Sequence, residues 1–108
     1  MALPKTVTIN GLAWTIQIDS TCIDGLGSYD SQTRIIKIDG DVDEDRQMEI
    51  LQHELLEACM SEQGIIYVPY PWGEGDKDRL FVMSHRQFSA INKVFYDVIS
   101  QIYGKKKG

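Results

Sequence analysis

Cysteines, prolines and long apolar runs are all scarce in this chain of 108 residues. There are two cysteines, Cys22 and Cys59, and three prolines. Two cysteines so far apart in sequence provide neither a disulfide framework nor a Cys-based metal knuckle, so both are expected to be reduced thiols. No apolar run approaches the roughly 20 residues of a membrane helix, and the N-terminus has no signal-peptide pattern. We therefore expect a protein of the cytoplasm with no membrane partner.

Basic residues are outnumbered by acidic ones. The chain contains 11 Lys and Arg and 16 Asp and Glu, which gives a formal net charge of -5. Without an overall positive field to attract phosphates, a nucleic-acid partner is not expected. The exception is the run of three lysines at 105–107, which we interpret as part of a flexible basic tail at 103–108. The length predicts a single domain over residues 1–108 with one modest core.

The first part of the chain has the pattern of two strand pairs. Residues 6–18 alternate around Asn10-Gly11, a dipeptide that favours a type I′ hairpin turn. This register pairs Ile9 with Leu12 and Val7 with Trp14, and it places these four on one buried face together with Ile16 and Ile18. Residues 27–30 and 34–39 predict a second pair of short strands around a polar turn.

Two long segments have helical periodicity. Residues 43–62 begin with acidic residues and end before Gly64, and they carry apolar residues on both sides, which is typical of a helix packed between other elements. Residues 84–103 begin with a capping box of Ser84 and Gln87. Between them, residues 65–82 predict a strand-like start and a long exposed loop. The fold class is therefore α+β, a small antiparallel sheet packed against two main helices.

The first predicted helix contains the residues that are able to bind a metal or take part in catalysis. His53 and Glu57 are four positions apart, so a helix brings both side chains to one face, where they can reach one ion. Glu54 lies about 100° around the helix from His53, where its carboxylate can contact a metal-bound water without being a ligand of the metal. This is the logic of the His-Glu-x-x-His motif, with Glu57 in place of the second histidine.

A further ligand is predicted at His85, the first helical residue after the Ser84 cap. The positive end of the helix dipole disfavours the imidazolium and so favours the neutral, metal-binding form. Two histidines and one carboxylate are a common ligand set of catalytic zinc. The sequence thus predicts a Zn²⁺ site of His53, Glu57 and His85, with Glu54 as the catalytic base.

Two segments and the order of strands resemble a known family. The segments are RIIKIDGDVDEDRQMEILQHELLEAC and SHRQFSAINKVFYDVISQIYG. They are similar to short zincin-like proteins often encoded by bacteriophages, which are distant relatives of the ImmA/IrrE-type metallopeptidases. The resemblance implies a minimal zincin fold with His53, Glu57 and His85 as ligands and Glu54 as the base. It also implies a small zinc metallopeptidase that acts on a protein segment in the host cytoplasm, or else a protein of the virion.

Other interpretations stay open at this level. His53, Glu54 and Glu57 can also be a solvated helix face with ion pairs three or four residues apart. Tyr67, Tyr70 and Trp72 form either a peptide-contact surface or a cover for the sheet. The alternative function is a non-catalytic structural or assembly module that keeps the zincin fold and binds a phage or host protein.

Overall fold

In the described part of the chain, four strands precede the first long helix, and two further strands separate it from the second. The structure, a computed structural model, describes residues 3–19, 27–69 and 79–104, and only the backbone of 66–69 and 79–80. The elements are β1 Thr6–Ile9, β2 Leu12–Asp19, β3 Gly27–Asp30, β4 Ile35–Asp39, α1 Glu44–Glu62, β5 Ile66–Pro69, β6 Arg79–Val82 and α2 His85–Tyr103.

The N-terminal hairpin has the predicted register. Asn10 and Gly11 both have positive φ, as a type I′ turn requires, and Val7 pairs with Trp14 as Ile9 does with Leu12. The predicted single buried face is correct for four of its six members, Val7, Ile9, Trp14 and Ile16. It is wrong for Leu12 and Ile18, which lie near the two ends of β2 and are 37% and 51% exposed.

The main sheet is mixed, and this corrects the prediction of an antiparallel one. Its strand order is β1-β2-β4-β3, with β2 and β4 parallel and the other pairs antiparallel. Ile36 and Ile38 of β4 are fully buried, so β4 takes the inner position, whereas the polar β3 forms an edge. The α+β class and the packing of a sheet on two helices are confirmed.

Helix α1 begins and ends where the sequence predicts. The Asp43 side chain caps it by accepting a hydrogen bond from the Arg46 backbone N–H, and Gly64 follows its end with a φ of 71°. Leu51, Leu55 and Cys59 are fully buried on one side. Ile50 and Met60 are buried as well, so α1 is covered on both sides as its pattern indicated.

Helix α2 closes one edge of the sheet. Its capping box between Ser84 and Gln87 is present, and Ile91, Val98 and Ile102 face the core. The Gln101 side-chain amide accepts from the Thr8 backbone N–H at 2.8 Å and donates to the Thr8 carbonyl at 2.7 Å. This pair of bonds satisfies the outward backbone groups of Thr8 in the edge strand β1. The opposite edge of the sheet, β3, lies next to α1.

The segment between the helices contains a second small sheet. Strands β5 and β6 pair antiparallel, with Ile66 opposite Val82. The strand-like start is confirmed, whereas β6 falls within the predicted loop. No helix in the described part of the chain is long and apolar enough to cross a membrane. Tyr103 ends α2, and residues 105–108 of the predicted tail lie outside the described residues.

The thiol of Cys59 should make stability depend on alkaline pH. Burial raises its pKa from 9.0 to about 12, and the charge of Glu62 adds to the shift. The thiol ionises near pH 9 in the unfolded chain and near pH 12 in the folded one. The contribution of this thiol to the free energy of unfolding is therefore constant below pH about 9. It is lost as pH rises toward about 12, by up to about 1.4 kcal/mol per pH unit.

Urea unfolding across this pH range checks the expectation, with Cys59→Ala as the control. The variant starts from a lower stability because it leaves a small cavity, but its stability should fall less steeply above pH about 9. Equal slopes in the two proteins would show that the buried thiol does not cause the loss.

Candidate metal centre

One face of α1 lines a depression against the edge strand β3. The depression has a volume of about 540 Å³, and Gly27 contributes to it from β3. From α1 it is lined by Arg46, Glu49, Ile50, His53, Glu54 and Glu57. Residues three, four and seven positions apart share one helix face, so this set follows from the helical geometry of α1.

Three donor side chains come together at this depression. His53 Nε2 lies 3.0 Å from Glu57 Oε1 and 3.9 Å from Glu54 Oε2. One donor atom from each of the three lies within 4.8 Å of the others. One imidazole and two carboxylates at this spacing can hold a divalent metal ion.

The three donors differ in their exposure. The His53 side chain is 67% exposed and that of Glu57 is 26% exposed, whereas that of Glu54 is only 9% exposed. Burial raises the pKa of the Glu54 carboxyl above its ordinary 4.5, the charge of Glu57 raises it further, and His53 partly offsets both. Glu54 therefore sits at the base of the depression, where a charged carboxylate is costly without a partner.

This burial is also a test of whether a metal fits the site. Among the described residues, no hydrogen bond to the Glu54 carboxylate is found, and its nearest basic partner is His53, whose Nε2 lies 3.9 Å from Glu54 Oε2. A cation would compensate the buried carboxylate and the repulsion between Glu54 and Glu57. The donor set and its surroundings therefore fit a metal.

Gly27 is a site residue that the sequence did not reveal. A Cβ built there would lie 2.7 Å from Ile50 Cγ2, 2.7 Å from the Lys37 carbonyl oxygen and 3.1 Å from Glu54 Cγ. The two separations of 2.7 Å are shorter than real Cβ contacts, so only a residue without a side chain lets β3 approach α1 beside Glu54. A glycine at the start of a predicted strand carries no signal of this approach.

Gly27→Ala should lower the stability and weaken the metal site together. The added methyl group must push β3 away from Ile50 and Glu54, at a cost of about 1–3 kcal/mol. Urea unfolding and calorimetric zinc titration check the two effects. Ser28→Ala, at an exposed position of the same strand, should stay within about 0.5 kcal/mol of the natural chain. If Gly27→Ala binds zinc normally, the approach of β3 is not needed for the site.

The structure brings together three of the four residues of the predicted centre. His53, Glu57 and Glu54 form the group, and His85 lies outside it. His85 is exposed in the first turn of α2, with its ring centroid 6.4 Å from that of Phe88. The group thus contains the second carboxylate, Glu54, where the sequence placed a second imidazole.

The remaining predicted residues are distributed as follows. Tyr70 and Trp72 lie outside the described residues, as does the side chain of Tyr67 in β5. Arg46 and Glu49 form an exposed ion pair on α1, as the interpretation of a solvated face expected. Cys59 is a free thiol, as expected, and is fully buried in the core.

Comparison with protein-family models, with curated proteins and with solved structures finds no match to this chain.

Proposed function

We propose that the protein is a zinc-binding, zincin-like protein that acts as a small metallopeptidase. The observation that carries the proposal is the convergence of one imidazole and two carboxylates at the depression beside β3. Zinc accepts both nitrogen and carboxylate oxygen ligands. The resemblance of the two helical segments to zincin-like proteins is consistent with this choice.

In this proposal the three side chains have separate roles. His53 and Glu57, 3.0 Å apart, hold the metal. Zinc supplies a Lewis acid that polarises a carbonyl group and lowers the pKa of water. Glu54 is the general base that would take up the proton, because its carboxylate lies beside both metal-holding side chains, with Oε2 3.9 Å from His53 Nε2.

Among the described residues, the edge strand β3 is a place for a peptide beside these groups. Helix α2 seals the outer edge of β1 through Gln101, whereas β3 is the sheet edge that borders the depression. An extended peptide can add to such an edge as a further strand. The substrate is therefore a protein segment that lies along β3 and presents its backbone to the centre.

Peptide cleavage by the zinc-loaded chain tests the proposal. Glu54→Gln keeps the shape of the side chain and removes the base, so kcat should fall by about 100-fold or more. Glu62→Gln makes the same chemical change at the end of α1, outside the donor group, and should leave kcat unchanged. Equal cleavage by the natural chain and Glu54→Gln would contradict the proposed base.

A second function is favoured by the exposure of His53. Its side chain is 67% exposed, and all three donors come from one helix, which leaves one side of the centre open to a partner. The alternative is a non-catalytic phage assembly module in which the metal is structural. Stoichiometric zinc without cleavage by the natural chain would support this alternative and overturn the peptidase.

A further inference from the structure

Helix α2 carries a row of mostly apolar side chains beside its buried side. The helical repeat places these residues within an arc of about 100°, and we call them the α2 stripe. The α2 stripe consists of Phe88, Asn92, Phe95, Tyr96, Ile99 and Tyr103. Its members Phe88, Tyr96 and Tyr103 are 58%, 69% and 46% exposed. Three exposed aromatic side chains on one face of a helix indicate a contact surface, because single exposed apolar residues are scattered.

Helix α1 extends this surface on one side. The Gln52 side-chain amide donates a hydrogen bond to the Tyr103 hydroxyl oxygen at 2.8 Å, so this side of α1 lies next to the α2 stripe. Leu56 is one turn further along the same side of α1 and is 40% exposed.

The exposed area is of the size that a small dimer interface needs. At about 200 Å² for each aromatic side chain, the three exposed aromatics of the stripe present roughly 350 Å² to solvent. Two copies supply about 700 Å² from these aromatics alone, and the other stripe residues and Leu56 bring the contact toward the about 1,200 Å² at which specific interfaces begin.

The spacing of the α2 stripe is symmetric about a point between positions 95 and 96. Phe88 and Tyr103 lie equally far from this point, and so do Asn92 and Ile99. A contact between two identical copies about a twofold axis requires a patch that is complementary to itself. With two α2 helices antiparallel about this point, Phe88 of each copy faces Tyr103 of the other. The stripe therefore matches a second copy of the same helix.

The charge of α2 also favours a contact between two copies. Helix α2 contains Arg86, Lys93 and Asp97, a net charge of +1, so the rest of the chain carries -6 of the total of -5. Two copies repel each other least when they meet at α2. Exposed Lys93 and Asp97 lie on one flank of the stripe, on either side of its midpoint. The antiparallel contact therefore brings Lys93 of each copy toward Asp97 of the other.

We infer that the protein forms a twofold-symmetric dimer in which the α2 stripes of two copies pack antiparallel. Tyr96, next to the axis, provides the central contact, since aromatic residues at the centre of an interface contribute most to binding. The two pairs of Lys93 and Asp97 at the flank fix the antiparallel direction. No residue of the stripe belongs to the donor group of the metal centre, so the inference does not depend on the proposed function.

Sedimentation velocity of the full chain tests the dimer. An interface of this size gives a dissociation constant on the order of micromolar, so the average mass should rise from one copy toward two over about 1 to 300 µM. The same rise is expected in the presence of EDTA. Tyr96→Glu places two carboxylates next to the axis and should raise the dissociation constant by about 30-fold or more.

Two further variants locate the contact. Ile18→Glu is the control, because it also replaces an exposed apolar residue by glutamate but lies in β2, and it should leave the dimer unchanged. Lys93→Glu should weaken the dimer by about threefold or more, since each new carboxylate faces Asp97 of the other copy. Lys93→Glu combined with Asp97→Lys should restore it. Circular dichroism checks that all variants are folded.

The results can overturn the inference in three ways. A single copy at every concentration would do so and would leave the stripe to a protein of a different kind. A dimer that Tyr96→Glu leaves as tight as in the natural chain would place the contact elsewhere. Failure of the double charge reversal to restore the dimer would contradict the antiparallel arrangement. A dimer with all the expected responses in a chain that binds no zinc would support the inference and contradict the proposed function.

Discussion

His53→Ala is expected to bind zinc more than about 100-fold more weakly than the natural chain, since loss of a direct ligand exceeds the 10–100-fold effect of losing a supporting residue. His53 is the only imidazole of the donor group, and its side chain is 67% exposed. The substitution removes few packing contacts, so the fold should be retained. Metal content by mass spectrometry and zinc titration by calorimetry measure the loss on protein purified without added metal.

His85→Ala is the matched control because it removes the other histidine of the chain. His85 lies outside the group, so this variant should retain its zinc. Glu57→Gln should lose metal as His53→Ala does, because Glu57 is the carboxylate 3.0 Å from His53. Full metal content in His53→Ala would rule out the centre. Loss of zinc in His85→Ala would instead favour the ligand set that the sequence predicted.

Trp14→Ala should have the largest effect on stability, a loss of about 3–5 kcal/mol. Trp14 is the largest fully buried side chain in the described part of the chain, and it packs in the main core with its ring centroid 6.4 Å from that of Tyr29. A domain of ordinary stability has only about 5–15 kcal/mol in total, so the variant should be close to unfolding. Urea unfolding followed by circular dichroism measures the change.

Trp14→Phe separates the volume of this side chain from its polar group. The indole N–H is buried and has no hydrogen-bond partner among the residues that the structure describes, so its removal relieves an unfavourable desolvation while some volume is lost. We expect a smaller loss of about 1–2 kcal/mol. A loss as large as that of Trp14→Ala would show that the indole N–H makes a bond that stabilises the core.

Several features of the fold could be predicted because they depend on neighbouring residues. The Asn10-Gly11 turn requires positive φ at two adjacent positions, and that turn fixes the pairing of Val7 with Trp14. The caps at Asp43 and Ser84 depend on one side chain and a backbone N–H three residues away. The helical spacing of apolar residues over 43–62 and 84–103 then predicted both helices and their buried sides.

The sheet could not be predicted in full, since its pairing depends on segments that are distant in sequence. Residues 34–39 were correctly predicted as a strand, yet their alternation does not indicate which neighbour they join or in which direction. The parallel pairing of β4 with β2 joins residues about 20 positions apart, and the burial of Ile36 and Ile38 that accompanies it is present only in the packed structure. The strand β6 was missed because its four residues were included in a polar segment.

The sequence by itself determined that His53 and Glu57 share a helix face, because a spacing of four residues brings side chains together in any α-helix. Only the tertiary structure decided the rest of the centre. It places Gly27 against α1, buries Glu54 beneath the edge strand and leaves His85 outside the donor group. These arrangements depend on how β3 and α2 pack against α1, and packing is set by contacts between distant segments rather than by the spacing of residues within one helix.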